Sequence, residues 1–128
     1  MKKELTAFEA YTAMYEFLGE LYDTVLNDTL GAALESMRIK RDTNLPVNPA
    51  MMKDWLEITG EKDMENGAFS ADAAYALMAE FLRKLSSKIG VTGLKEVISY
   101  ISLNEHNKAV RSSWEEAIGL ALEKYDEQ

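Results

Sequence analysis

The sequence predicts an all-α protein, a single domain of about six helices built as two tandem three-helix repeats with a pseudo-twofold relation. Three observations point there. First, sliding the chain by 64 positions lays Leu5–Ile39 over Phe69–Leu103 without a gap, and nine of the 35 pairs are identical. Unrelated segments of ordinary composition would match at roughly two. Besides Ala7/Ala71 and Leu30/Leu94, the matches are Ala10/Ala74, Tyr11/Tyr75, Met14/Met78, Glu16/Glu80, Phe17/Phe81, Leu18/Leu82 and Leu21/Leu85. Those seven fall in the AY..M.EFL..L stretch of one helix, six of them apolar. Second, apolar residues recur at spacings of three and four, the helical period, and no alternating strand pattern competes. Third, Pro49, Gly60 and Gly90 stand where helices should begin or end.

The first helix opens at Thr6, with Glu9 at the capping-box spacing, and should end near Leu26. At about 100° per residue, Tyr11, Met14, Leu18, Leu21 and Val25 share one face, widened by Tyr15 and Tyr22. Glu9, Glu16, Glu20 and Asp23 fall in a narrow strip on the opposite face. Asp28 is the expected cap of a second helix, Thr29–Ile39, with Leu30, Ala33, Leu34 and Met37 as its stripe. Asn48-Pro49 starts a third, Asn capping and Pro in the first turn, which carries Met52, Trp55, Leu56 and Met51 inward to about Thr59. Gly60 is its natural stop.

Glu61–Ala68 is the linker-like segment. Ser70 caps a fourth helix with Ala74, Tyr75, Met78, Leu82, Leu85 and Ile89 on its apolar face, and Gly90 stops it. Thr92 is the expected cap of a fifth, striped by Leu94, Val97, Ile98 and Ile101. Asn107 opens a sixth that runs through Trp114 and Ile118 to about Tyr125. At an offset of 59, Asn48, Ala50, Trp55 and Glu57 fall on Asn107, Ala109, Trp114 and Glu116, so the second copy has the shorter connection. Residues 1–128 thus read as one domain, with repeats at about 5–59 and 69–125 and a linker at about 60–69. Each copy alone, at about 60 residues, is a marginal size for a core. A shared core follows, with the first and fourth helices expected at its centre.

The chain has 128 residues, 47% hydrophobic and 28% charged, the balance of an ordinary globular domain. Its net charge is −8, from 14 basic and 22 acidic residues. That opposes binding to nucleic acid or anionic membrane, whose affinity comes from Lys and Arg. It suits a basic partner or plain solubility. Without cysteine there is no disulfide, thiolate nucleophile or cysteine-ligated zinc. Glu4, Glu9 and Glu16 interrupt any leader-like apolar run, no run approaches a membrane span, and a cytoplasmic location is expected.

No catalytic constellation stands out. His106, the single histidine, falls in a connection and reads as a solvent-facing loop residue. No Glu-x-x-His occurs, and the first helix's carboxylates point away from its apolar face, so neither a metal site nor another cofactor is expected. Glycine-rich phosphate loops and nucleophile-elbow motifs are missing. The basic footprint of a helix-turn-helix reader is also missing. Trp55 and Trp114, at matched positions, read as core. In the fourth helix the positions of Glu20 and Asp23 hold Lys84 and Ser87, so shared packing does not require the acids. An acidic ridge on one copy suits attraction to a basic surface.

The runs AYTAMYEFL, TLGAALESM and NPAMMKDWLE, spanning Ala10–Glu57 and more faintly Ala74–Glu116, carry a resemblance. The chain resembles small all-helical bacterial immunity proteins of toxin–immunity systems, the contact-dependent inhibition and polymorphic-toxin kinds. Their pattern is similar to AY-x-x-M-x-x-FL, L-x-x-L-L-x-x-M and DPA-x-W-x-DWL. The chain departs from it at Asn48, where Asp is expected, and at Met52, where an aromatic is expected. The resemblance implies a non-catalytic inhibitor that occludes a cognate toxin, often a nuclease with a basic groove. On that reading Glu9, Glu16, Glu20 and Asp23 meet the partner. The competing readings are a structural or adaptor helical module that mediates assembly, compatible with a homodimer, and an enzyme with a concave polar pocket that no spacing foreshadows.

Overall fold

A computed structural model describes residues 5–25, 27–40, 48–59, 70–89 and 93–126. These form six helices: α1 (Ala7–Val25), α2 (Asp28–Met37), α3 (Pro49–Thr59), α4 (Ala71–Ile89), α5 (Lys95–Leu103) and α6 (Lys108–Asp126). Among the described residues there is no strand. The linker segment, Leu26, Gly60, Gly90 and the expected cap Thr92 lie outside the described residues.

The starts of the helices follow local chemistry. At α1 the capping box is complete: Glu9 N–H donates to Thr6 Oγ1 (3.1 Å) and Thr6 N–H donates to Glu9 Oε1 (3.0 Å). Asn48 Oδ1 accepts from Ala50 N–H (3.0 Å), Ser70 Oγ from Ala73 N–H (3.1 Å), and Asn107 Oδ1 from Ala109 and Val110 N–H (2.9 and 3.2 Å). Asn27, not Asp28, caps α2. Its Oδ1 accepts from Leu30 N–H at 2.9 Å, while its Nδ2 donates to Gly93 O at 3.0 Å. An aspartate could accept the first bond but not donate the second, so this position ties the α1–α2 junction to the start of α5. At the far end of α2, Arg38 turns to extended backbone (φ −48°, ψ 139°), which stops the helix before Ile39. Leu94 precedes α5 without a side-chain cap.

The core departs from the expected centre. The most extensive packing is α1 with α6, while α1 meets α4 more narrowly. That narrow meeting is aromatic. Tyr11, Trp55 and Phe81 form a triad of edge-to-face rings with centroids 5.7–6.2 Å apart. Tyr75, Trp114 and Phe17 form a second, at 5.6–6.0 Å. In each triad the Tyr and Trp come from one half of the chain and the Phe from the other. Each edge-to-face pair adds about 0.5–1.5 kcal/mol beyond burial.

Every polar handle in these triads is satisfied. Tyr11 and Tyr75 hydroxyls donate to Met37 O (3.1 Å) and Ile101 O (2.7 Å), and the Trp55 and Trp114 Nε1–H groups donate to Ala7 O (2.7 Å) and Ala71 O (2.9 Å). Burial pushes the Tyr75 hydroxyl up to about 12, helped by the Glu105 and Tyr100 charges and opposed by Arg111. Burial, with Tyr15 adding, pushes Tyr11 up further still.

An unfolded tyrosine ionises near pH 10, so both groups contribute stability that is fully present below that pH. It is lost as pH rises through the folded values, because the unfolded chain releases protons the native chain holds. Unfolding free energy should fall above about pH 10 by about 1.4 kcal/mol per pH unit for each buried tyrosine. Urea titrations between pH 8 and 11.5 check this. The Tyr11→Phe/Tyr75→Phe double variant, although less stable at neutral pH, should show a flatter alkaline limb.

Candidate partner-binding surface

The four acidic residues of α1 do not form one exposed strip. Glu9 is buried at 8% exposure and is spent on the capping box. The first half of α1 is enclosed on nearly every side: Ala7, Glu9, Ala10, Tyr11, Thr12, Ala13 and Met14 are all buried. Thr12 and Ala13, both within about 60° of Glu9 round the helix, are small enough to let neighbouring helices close over the face that periodicity assigns to solvent. Glu16 is half-buried and already engaged. Glu20 and Asp23 are exposed, and among the described residues neither forms an ion pair. The acidic face therefore begins only in the second half of α1.

Glu9→Ala tests the division of roles. It should cost about 1 kcal/mol through the lost cap, whereas Glu9→Gln, which keeps an acceptor, should cost much less. Neither should alter binding of a basic partner. Thermal unfolding of the two variants distinguishes the outcomes.

Beside Glu20 lies a notch of about 120 Å³, lined by Phe17, Leu21, Thr24, Tyr100, Ala109, Val110 and Ser113. A second hollow of about 220 Å³ adjoins it, sharing Leu21 and Tyr100 and adding Val25, Asn27, Glu96 and Val97. Val25, expected on the apolar face, is 40% exposed, and Leu103 is 84% exposed. Glu96, Tyr100 and Leu103 stand at i, i+4 and i+7, hence along one side of α5. The exposed end of α1 thus flanks an apolar surface rather than a featureless polar one.

Sequence reasoning overlooks Glu96, Tyr100 and Leu103. One signal was legible: Leu103, nine residues after Leu94, lies about 180° away from it round α5, opposite the buried stripe. A leucine on the wrong face of a short helix is an exposed apolar group by construction.

The charged residues elsewhere act within the fold. Lys84 donates to Glu57 Oε2 at 2.5 Å, joining α4 to α3, and that bond raises its pKa. Arg111 pairs with Asp72, joining α6 to α4. His106 is 91% exposed, 3.4 Å from Glu105. Among the described residues, no group of three His, Asp or Glu side chains is placed to hold a metal ion, and no helix is long and apolar enough to cross a membrane. Comparison with protein-family models, curated proteins and solved structures finds no match.

Proposed function

We propose that this chain is a non-catalytic binding protein of the immunity or antitoxin kind, which neutralises a cognate bacterial toxin by covering its basic substrate groove. The observation that carries the reading is the exposed Glu20 in the wall of an open, partly apolar notch, with Asp23 exposed on the next turn of α1, on a chain of net charge −8. Carboxylates there would steer a cationic surface into register, while the apolar floor supplies contact area. The resemblance in AYTAMYEFL and NPAMMKDWLE favours the same class, and a cytoplasmic toxin target would place the protein there too.

We further read the six helices as two tandem three-helix units about a pseudo-twofold axis. The reciprocal triads support this, since Tyr11–Phe81 and Phe17–Tyr75 exchange matched positions as an isologous interface does. So does Thr29, whose counterpart at an offset of 64 is Gly93: a Cβ on Gly93 would meet Thr29 itself. Matched residues that touch each other lie on such an axis.

The test is co-expression with the product of the neighbouring gene. Growth inhibition by that product, relieved by this protein through a one-to-one complex weakened by salt, is the expected result. No relief, together with a stable homo-oligomer, would favour the structural or adaptor module instead.

A further inference from the structure

We propose that the surface formed by the second half of α1, the outer side of α5 and the first half of α6 docks a cationic protein segment, which seats an apolar side chain among Val25, Tyr100 and Leu103 and sets a Lys or Arg beside Glu20. This rests on the binding-protein reading above and specifies the surface and the partner's chemistry.

The two hollows share Leu21 and Tyr100, Val25 lines the second and is exposed, and Leu103, also exposed, stands one turn along α5 from Tyr100. Two exposed carboxylates line the hollows, Glu20 on α1 and Glu96 on α5, and two more are exposed within one turn of lining residues, Asp23 on α1 and Glu116 on α6. Lys95 and Lys108, also exposed, lie on other sides of their helices by helical spacing.

The other half of the chain shows what this surface lacks. Lys84 and Glu57 form an ion pair between α4 and α3. Their counterparts, at offsets of 64 and 59, are Glu20 on α1 and Glu116 on α6. Where one half joins its helices with a cation and a carboxylate, the other has two carboxylates and an apolar notch. A cation brought by a partner supplies the missing charge, and the neighbouring Leu and Tyr surface fits a segment that is apolar as well as basic. A purely polar polycation would leave Leu103 uncovered.

The test uses the full chain, isotope-labelled, and an 18-residue amphipathic Leu/Lys helical peptide as the probe, with a Leu/Glu peptide of the same pattern as control. The expected result is saturable one-to-one binding of the Leu/Lys peptide, weakened by salt, with resonance shifts centred on Leu21, Val25, Glu96, Tyr100 and Leu103. Glu20→Lys and Leu103→Ser should each weaken it about tenfold or more. Glu115→Lys, an equal charge change on another side of α6, should change it by about twofold or less. Glu20→Lys should keep full thermal stability, because it recreates the Lys84–Glu57 pairing, so its loss of binding is not loss of fold.

Shifts centred instead on the separate hollow of about 460 Å³ between α1 and α2, lined by Tyr15, Tyr22, Leu34 and Glu35, would overturn the proposal. So would wild-type affinity in both variants, or a homodimer that Leu103→Ser dissolves. The growth assay separates the two readings. If Glu20→Lys and Leu103→Ser still relieve toxicity fully, this surface is wrong and the inhibitor reading stands. If the wild type relieves nothing while the peptide maps here, the surface stands and the inhibitor reading fails.

Discussion

Trp114→Ala is expected to destabilise the protein by about 4 kcal/mol, and Trp55→Ala by a similar amount. Both indoles are fully buried, each closes a triad with a Tyr and a Phe, and each Nε1–H serves a carbonyl at the start of a long helix. Truncation leaves a cavity, removes two edge-to-face contacts and takes away the second hydrogen bond to Ala71 O or Ala7 O, each of which keeps its own helix bond. A domain of this size has about 5–15 kcal/mol in total, so either variant should sit close to its unfolding transition. Trp→Phe at the same positions keeps a ring but loses the donor, and should fall between. Because Phe17 and Phe81 cross between halves, Phe17→Ala and Trp114→Ala should be non-additive, sharing a triad, while Phe81→Ala and Trp114→Ala, in different triads, should be closer to additive. Urea unfolding of the single and double variants measures this. Losses under about 1.5 kcal/mol at both tryptophans would show that the triads are not where the stability resides.

Gly93→Ala should cost about 1–3 kcal/mol although it adds a single methyl group. An added Cβ would lie 2.0 Å from Thr29 Oγ1 and 2.7 Å from Thr29 Cβ. The second distance decides the matter, because a rotamer change moves the hydroxyl but not the β-carbon. Relief therefore needs the start of α2 to move away from the α4–α5 junction, which would strain the Asn27 Nδ2–Gly93 O bond. Thr29→Gly removes the obstruction, so the Gly93→Ala/Thr29→Gly double variant should be more stable than the sum of the two single losses predicts. Thermal unfolding of the three variants gives the coupling. An additive double variant would mean that Gly93 is required by its own backbone rather than by Thr29.

The packing around these two sites shows where sequence-level reasoning stops. Helix identity and boundaries were legible because they are local: Thr6, Asn48, Ser70 and Asn107 each bond to backbone N–H groups two or three residues on. The buried tyrosines and tryptophans were legible too, since large aromatics at matched positions on an apolar stripe have few other places to go. The α2 cap was misassigned between Asn27 and Asp28 because both residue types accept a first-turn bond. Only the distant Gly93 carbonyl, 66 residues away, distinguishes them.

The candidate surface was only half legible for the same reason. Helical periodicity places Glu9, Glu16, Glu20 and Asp23 on one side of α1, and a helical wheel has no information about how many neighbours surround each turn. The second half of α1 leaves Glu20 and Asp23 exposed; in the first half the small residues Thr12 and Ala13 on that side are buried and admit close approach, while Glu9 turns inward to cap. Leu103 and Tyr100 entered the surface because α5 is covered on one side only.

By itself, then, the sequence determined the helices, the caps at Thr6, Asn48, Ser70 and Asn107, the internal offset of 64 residues and the aromatic core positions, because capping and periodicity act within a few residues along the chain. The tertiary structure alone decided that α6 rather than α4 is the main neighbour of α1, that Glu9 is enclosed, that Glu20 and the half-buried Tyr100 line one notch, and that Val25 and Leu103 stay exposed. Those outcomes depend on which helices meet across long stretches of chain, and that is a property of packing rather than of any local pattern.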